Sequence, residues 1–530
     1  MIHRNWIKWA VTIGLILALA VLFVRTSARV PPGPAEPTFR MTLSNEPPTL
    51  DWNLATDSVS FDVLINLMEG LTEYDEQLRP RPAVARSWEV SPDGRTYLFH
   101  LREDARWSDG KPVTAGDFEY SWKRLLNPQT AAEYAYFLYD IEGAEDYNTG
   151  KADRPDSVGV RALDDRTLQV RLRKPIVFFP SIVTFMVTFP MRRDIVEKFG
   201  ERWTEPGPMV TDGPFVLDEW RHEYKLTLRP NPYYYGPRPA LGKVVMFVVN
   251  ETTTALTLYE TGDLEMATLP PEAMATYRGK PKYFTAPLLR GYYYGFNVLK
   301  PPFTDPRIRR AFSMAIDRKE FPAILKRGEV PASFWLPPGM PYHNPAIGLP
   351  FDPEAARRLL AEAGYPAGRG FPTVTAAFNT SPENSLIAEN LQAQWKRNLG
   401  VEVLLDNQEW KVYLKRLQTD PLPLFRLGWG ADYPDPDNFL NLFTSTSGNN
   451  RTRWKNDRYD ALIRSAAADP DSAHRQKAYD EAQRILLEKD VVIMPLFVAT
   501  QNWVVKPYVR GLQINALELL ILKNVRLERP

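Results

Sequence analysis

Arg426-Leu-Gly-Trp-Gly-Ala-Asp-Tyr-Pro-Asp-Pro-Asp-Asn438 places a cation, an aromatic platform and a lone carboxylate in a segment whose glycines and prolines rule out a helix. Residues 426–429 can run extended, with backbone N–H and C=O groups facing outward beside Trp429, before Asp432 closes the run ahead of a Pro-rich turn. An extended ligand bound by strand addition needs such a surface. Main-chain hydrogen bonds give it affinity, charges at its two ends give it orientation, and roomy pockets tolerate its side chains. Local sequence alone favours a plainer reading, a solvated Asp in a loop and a Trp in a core.

The chain on either side of this stretch alternates helix and strand. A strand over 373–378, a helix over 384–399 and a strand over 401–405 make one βαβ unit. Asp305-Pro306 opens a helix over 307–321, Asp352-Pro353 opens another that Gly364 ends, and a long helix over 471–489 precedes a strand over 491–497. Before residue 290 the texture is strand-rich instead. Strands are expected over 39–43, 96–101, 213–217 and 224–229, with a hairpin strand over 163–172. Lys243-Val-Val-Met-Phe-Val-Val249 is continuous and β-branched, which reads as a buried central strand. A helix over 61–68 stops at Gly70, and Thr114 with Asp117 forms a capping box.

This change of texture, with a C-terminal strand able to rejoin the first region, predicts two lobes with the chain crossing between them. The expected divisions are a membrane anchor and spacer over 1–37, lobe I over 38–68, 191–289 and 501–530, an extra domain over 69–190, and lobe II over 290–500. A cleft between lobes is the favoured place for a ligand.

Composition agrees with a folded protein of several units, since 530 residues exceed one ordinary core, and 44% of them are hydrophobic and 24% charged. Lys plus Arg number 65 against 64 acidic residues, so no global field favours nucleic acid as a partner. Any charge selectivity is local. Forty-eight prolines, with 26 Phe, 24 Tyr and 14 Trp, suit rigid turns and aromatic-lined surfaces for small-ligand or peptide recognition. The absence of cysteine removes disulfides, thiolate metal sites and a lipid-modified N-terminal Cys. His3, His100, His222, His343 and His474 show no pair at metal-ligand spacing, so neither a metal nor another cofactor is expected.

The N-terminus points to export. After Arg4 and Lys8 comes an uncharged run over 9–24, bounded by Arg25 and Arg29. Its 16 residues give roughly 24 Å of helix, short against a ~30 Å hydrocarbon core. Counting from Trp6 with Lys8 snorkelling gives a workable span. The only small-residue cleavage site, Thr26-Ser-Ala28, sits beside Arg25, which favours an uncleaved anchor over a removed signal. Pro31-Pro-Gly-Pro-Ala-Glu-Pro37 then reads as a stiff spacer holding the body off the membrane.

Enzymatic motifs are few. Ser108-Asp-Gly-Lys111 fits the Ser-x-x-Lys form of acyl-enzyme hydrolases, but it lies in an Asp-Gly turn and lacks Ser-Asp-Asn and Lys-Thr-Gly partners. Gly-x-Ser-x-Gly, His-Glu-x-x-His and the phosphate- and dinucleotide-binding glycine motifs do not occur. An enzyme is disfavoured. Tyr292-Tyr-Tyr294 and Tyr233-Tyr-Tyr235 read as core more readily than as pocket walls, and Lys326, at a helix exit, as a C-terminal charge before a ligand contact.

Further stretches carry a resemblance. Arg79-Pro-Arg-Pro-Ala-Val-Ala-Arg-Ser-Trp-Glu89, the run over 96–124 containing Trp107-Ser-Asp-Gly-Lys-Pro-Val113, Asn407-Gln-Glu-Trp-Lys411 and Gly428-Trp-Gly-Ala-Asp-Tyr433 resemble the oligopeptide-binding proteins of peptide ABC transporters. These are extracellular solute-binding proteins of the dipeptide, oligopeptide and nickel type, and the likeness runs from about Thr38 to the C-terminus. It implies an α/β, two-lobed type II periplasmic-binding-protein fold with an additional domain. It also implies a monomer that closes on short peptides and hands them to a membrane-embedded ABC transporter.

Residue by residue, the resemblance makes Asp432 the partner of a peptide α-amino group, with Trp410 in a matching stretch. Gly428, Trp429 and Gly430 match the strand that pairs with the peptide backbone, and Thr56 to Ser58 the opposing strand. Arg426, Lys326 and Asn384 fall where the family has Arg, Lys and His meeting the peptide carboxylate. Asn384 departs from this pattern because it carries no charge, and Thr268 departs because it stands where a wall Tyr is expected, which predicts a wider pocket. A cell-wall peptide or a metal chelate remains the alternative ligand, the scarce histidines arguing against nickel, and a peptide-cleaving enzyme working at Ser108 is the rival of another class.

Overall fold

In the computed structural model the described residues are 36–513 and 515–529, with the backbone alone at Lys411. The expected membrane anchor and most of the expected spacer lie outside them. No helix among the described residues is long and apolar enough to cross a membrane.

Strand β1 (Thr38–Leu43) alternates half-buried and buried residues, the period expected of a strand with one face on a core. Helix α1 (Ser58–Leu67) follows, capped by Asp57, whose carboxylate accepts the Ser60 N–H at 2.8 Å and the Ser60 hydroxyl at 2.7 Å. The helix ends where Met68 turns extended, before Gly70. Gly70 has a different task, since a Cβ there would lie 2.8 Å from the Val183 carbonyl oxygen.

The chain then builds a separate antiparallel sheet from β2 (Ala85–Val90), β3 (Thr96–Leu101), β4 (Val160–Asp164) and β5 (Thr167–Arg171), in the order β2-β3-β5-β4. Helix α2 (Ala115–Leu126) lies against it and begins with the expected capping box, the Thr114 N–H donating to Asp117 Oδ2 at 2.8 Å. Three further strands, β6 (Phe215–Arg221), β7 (Lys225–Pro230) and β8 (Lys243–Val248), rejoin the start of the chain. The order is β1-β8-β7-β6, so residues 243–248 do form an inner strand, parallel to β1. One continuous core joins both sheets, with Phe39 and Met41 of β1, Phe99 of β3, Trp122 of α2 and Val244 of β8 in the same cluster. The inserted sheet therefore shares its core with the first lobe.

A seven-stranded sheet is centred on the second lobe and extends into the first. Its strands are β9 (Met266–Thr268), β10 (Tyr283–Phe296), β11 (Val330–Pro331), β12 (Val374–Asn379), β13 (Val403–Gln408), β14 (Leu424–Gly430) and β15 (Ile493–Val505). The order is β9-β15-β10-β14-β12-β13, with β11 on β15. The pair β12 and β13 is parallel and joined by a helix over Pro382–Leu399, which is the expected βαβ unit. Tyr293 packs on one face of the sheet with Trp335 and Phe425, while Tyr292 and Tyr294 pack on the other with Phe312 and Trp395. The tyrosine run is core, as its period of two requires.

One expectation needs correction. The helix over 307–321 is two helices, α3 (Pro306–Met314) and α4 (Glu320–Leu325). Residues between them turn because Gln394 Oε1 accepts the Asp317 N–H at 2.6 Å and the buried Arg318 guanidinium donates to the Pro495 carbonyl at 2.7 Å. A buried cation needs such acceptors, and satisfying it breaks the helix. The helix over Pro382–Leu399 is α5, Trp410–Thr419 is α6 and Ser472–Arg484 is α7, which runs on as a π-turn to Lys489.

β10 and β15 are the longest strands described, and they pair along most of their length with a register shift between Pro287 and Gly291. Their outer ends lie beside β9, and their inner ends lie in the middle of the second sheet. The change of texture near residue 290 falls on this irregularity.

Candidate functional site

The site grows from a split in the second sheet. β14 pairs with β10 along its whole length, from Leu424 opposite Phe296 to Gly430 opposite Arg290. On its other edge β12 pairs only at Ala376–Leu424 and Ala377–Phe425, and then the two strands part. The Ala431 N–H donates to the Leu289 carbonyl at 2.8 Å and the Asn297 N–H to the Pro423 carbonyl at 3.0 Å. These bonds fix the alternation. Odd-numbered residues of β14 direct their backbone groups at β10, and Gly428 and Gly430 direct theirs to the open side. A Cβ at Gly428 would lie 3.0 Å from the Gly291 carbonyl oxygen, so glycine also relieves crowding at this point.

Beyond the edge the chain turns into Asp432. Asn438 holds that turn, accepting the Trp429 indole N–H at 2.9 Å and the Asp432 N–H at 3.1 Å through Oδ1, while its amide donates to Asp432 Oδ2 at 3.4 Å. Behind it Arg475 pairs with Asp435 at 2.6 Å, both buried, which anchors the Pro-rich turn to α7. The Asp432 carboxylate has no cationic partner among the described residues. Burial between the cleft walls pushes its pKa up to about 6, against the lowering effect of the Asn438 bond.

Asp432 and Gly430 open onto a cleft of about 620 Å³ that both lobes line. From the first lobe and the segment inserted in it come Thr56, Ser58, Phe61, Asp62 and Tyr134, and Phe61 packs edge-on against Tyr134 and Phe185 with ring centroids 6.2 and 5.3 Å away. Thr268 is also in the wall, in register with Trp503. Thr56 to Ser58, which the resemblance sets opposite the peptide-pairing strand, forms no strand with another part of the described chain. Asp57 and Ser58 are the cap and first residue of α1, because the Asp57 carboxylate is taken up by Ser60.

The opposite end of the split is closed by the protein itself. Arg426 spans the gap, its Nη1 donating to Asn379 Oδ1 at 3.2 Å and its guanidinium lying 4.5 Å from the Tyr292 ring centroid. Its carbonyl accepts the Tyr413 hydroxyl, and its Nε is buried with no hydrogen-bond partner. Asn384 is buried in the first turn of α5. Its Oδ1 accepts the Tyr292 hydroxyl at 2.9 Å, and its amide donates to the Asn379 carbonyl at 2.9 Å and side chain at 3.1 Å. Trp410 opens α6, exposed, with its ring 6.3 Å from Tyr413.

Of the residues singled out from sequence, Asp432, Gly430, Thr56 and Ser58 thus line the same cleft. Gly428 and Trp429 lead into it, and Arg426, Asn384 and Trp410 gather beyond it. Lys326 caps α4 with a left-handed backbone (φ 61°) and is exposed, while its neighbour Arg327 is in the cleft wall. Sequence reasoning missed Arg327, and also Asp62, Arg290 and Glu518. Asp62 did leave a signal, a single acid within the otherwise uncharged helix Ser-Val-Ser-Phe-Asp-Val-Leu-Ile-Asn-Leu.

Ser108 and Lys111 serve the fold. Ser108 Oγ accepts the Thr211 N–H at 3.1 Å, and Lys111 pairs with Asp194 at 3.2 Å. Among the described residues no group of three or more His, Asp or Glu side chains is placed to hold a metal ion.

A family model, bacterial extracellular solute-binding proteins, family 5, matches residues 79–451. The chain is 34% identical to the oligopeptide-binding protein of Bacillus subtilis over 491 residues, covering 89% of this chain and 90% of that one. It is 36% identical to the periplasmic murein peptide-binding protein of Escherichia coli over 487 residues, covering 89% and 90%. A solved murein tripeptide-binding protein in its unliganded open form superposes with a TM-score of 0.83 at 34% identity, covering 93% of this chain and 98% of that one.

Proposed function

The chain belongs to the bacterial extracellular solute-binding proteins of family 5, and on that premise we propose that it captures short peptides in the cleft between its lobes and delivers them to a peptide ABC transporter. One observation carries the reading. The open edge of β14 leads directly to a desolvated carboxylate that lacks a cation of its own. A peptide laid along Gly428 and Gly430 gains main-chain hydrogen bonds, and its α-ammonium supplies the missing charge at Asp432. The apolar wall of Phe61 and Tyr134 accepts side chains by volume. The protein works by binding and release, as a monomer, with no bond broken in the ligand.

Lobe I comprises 38–68, 191–289 and 501–530, the extra domain 69–190 and lobe II 290–500, with β10 and β15 crossing between the lobes. The apolar N-terminal run tethers the exported body to the cytoplasmic membrane, and the Pro-rich segment after it acts as the spacer. A cell-wall peptide is the second reading, favoured by the 36% identity to a murein peptide-binding protein.

Calorimetric titration with alanine peptides of two to six residues, each with a free or acetylated N-terminus, tests the proposal. Free-amine peptides are expected to bind, acetylated ones to bind poorly, and affinity to change at least tenfold across the lengths as the carboxylate gains or loses its partner, since a charge-assisted bond is worth about 1.5–3 kcal/mol. Equal affinity for acetylated and free peptides would overturn it. A murein tripeptide in the same series separates the second reading.

A further inference from the structure

Five charged side chains line the cleft: Asp62, Arg290, Arg327, Asp432 and Glu518. Both arginines are already paired by the protein, Arg290 with Glu518 at 2.8 Å and Arg327 with Glu383 at 3.0 Å. Two carboxylates are left over, Asp432 and Asp62. A single α-ammonium answers only one of them.

Asp62 is held where it is by the helix that carries it. Asn66, one turn further along the same face of α1, donates to the Leu520 carbonyl at 2.8 Å and to the Asp62 carbonyl at 2.9 Å, and accepts the Leu522 N–H at 2.8 Å. That clamp fixes α1 against the segment that carries Glu518. Ser58, one turn the other way, faces the same cleft. The Asp62 carboxylate makes no hydrogen bond or ion pair among the described residues, and the nearby acid Asp57 is occupied as the cap of α1. Burial first, and then the Glu518 and Asp57 carboxylates, push Asp62 up to about 8.

Resting on the peptide reading, we infer that Asp62, beside Glu518, forms a second subsite of the cleft that takes a cationic group of the ligand, a lysine- or arginine-like side chain. Burial and the neighbouring acids favour the protonated Asp62 carboxyl near neutral pH, and an arriving ammonium shifts it to the carboxylate, the proton passing to solvent as a charge-assisted hydrogen bond forms, which a neutral side chain of equal length does not do. The cleft therefore selects ligands with two positive charges, the α-ammonium at Asp432 and a side-chain cation at Asp62.

The test is calorimetry at pH 7.5 with Lys-Ala-Ala, Ala-Lys-Ala and Ala-Ala-Lys, each against its Nε-acetyl-lysine counterpart, with tri-alanine as the neutral reference. At one of the three positions lysine is expected to bind at least tenfold more tightly than acetyl-lysine. In Asp62→Asn that ratio falls to within about twofold, and in Asp62→Glu it is retained in part. Ratios within twofold at every position while tri-alanine binds would overturn the subsite and leave the peptide reading standing. A ratio that survives Asp62→Asn would overturn its assignment to Asp62. Failure of every peptide to bind, tri-alanine included, would sink the peptide reading and the subsite together. The lysine comparison on the unaltered protein decides the matter even where a variant does not fold.

Discussion

The two ends of the β14 edge hold opposite charges and treat them in opposite ways. At one end Asp432 is anchored by Asn438 through its backbone N–H and one carboxylate oxygen, but its charge is unanswered. At the other, Arg426 is spread over Tyr292 and Asn379, and Asn384 ties those two residues together. The first arrangement waits for a ligand, because a desolvated charge gains most from an incoming counter-charge. The second has already assembled its contacts inside the protein, so a ligand carboxylate must compete with Asn379 for the guanidinium. Charge type alone therefore does not mark an anchor, and the number of partners a charge already has is the better guide.

The largest expected effect breaks the comparison at the Asp432 end. Asp432→Asn is expected to cost peptide affinity about 3–5 kcal/mol, because the α-ammonium stays desolvated without its counter-charge. Calorimetry with tri-alanine reads this directly, and a loss below about 1 kcal/mol reduces Asp432 to a rim charge.

At the other end the expected damage falls on stability. Asn384→Ala leaves the Tyr292 hydroxyl and the Asn379 carbonyl without their partners in a buried place, which costs about 1–3 kcal/mol. The midpoint of urea unfolding checks it. A variant with unchanged midpoint and weakened peptide binding would move Asn384 from the scaffold to the ligand site.

The smallest effect is a pH dependence. Burial pushes the Asp432 carboxyl up to about 6, so tri-alanine affinity is expected to fall roughly tenfold from pH 7 to pH 5, as the carboxylate proposed to meet the α-ammonium is protonated. Stability of the unliganded protein changes in the opposite sense. A carboxyl raised above its ordinary 3.8 makes the folded state bind the proton more tightly, so this contribution is present below 3.8 and is lost as pH rises to about 6. Titrations at pH 5, 6 and 7 measure the first trend and thermal melting the second. Flat affinity over this range would mean that the carboxylate does not meet the ammonium.

How much of this was legible beforehand follows from how local each cause is. The capping box at Thr114 and Asp117, the βαβ unit of β12, α5 and β13, and the inner strand β8 were all readable, because cap chemistry and hydrophobic period act within a few residues. The break between α3 and α4 was not, because it depends on Gln394 and on the Pro495 carbonyl, which lie 77 and 177 residues away from the groups they bind. The local structure of Thr56 to Ser58 was hidden for a different reason. Asp57 keeps an extended backbone (φ −120°, ψ 152°), as a helix cap does, and its bond to Ser60 turns the chain into α1 directly after it.

The sequence by itself determined the extended, glycine-bearing run that ends in Asp432, since glycine and proline exclude the helix and no distant residue is needed to say so. Tertiary structure alone decided which of its charges are free. β12 had to part from β14 to leave Gly428 and Gly430 an open edge, Asn379 and Tyr292 had to come under Arg426, and α1 had to bring Asp62 to the opposite wall. The availability of a charge is a property of everything packed around it, and that neighbourhood is drawn from parts of the chain hundreds of residues apart.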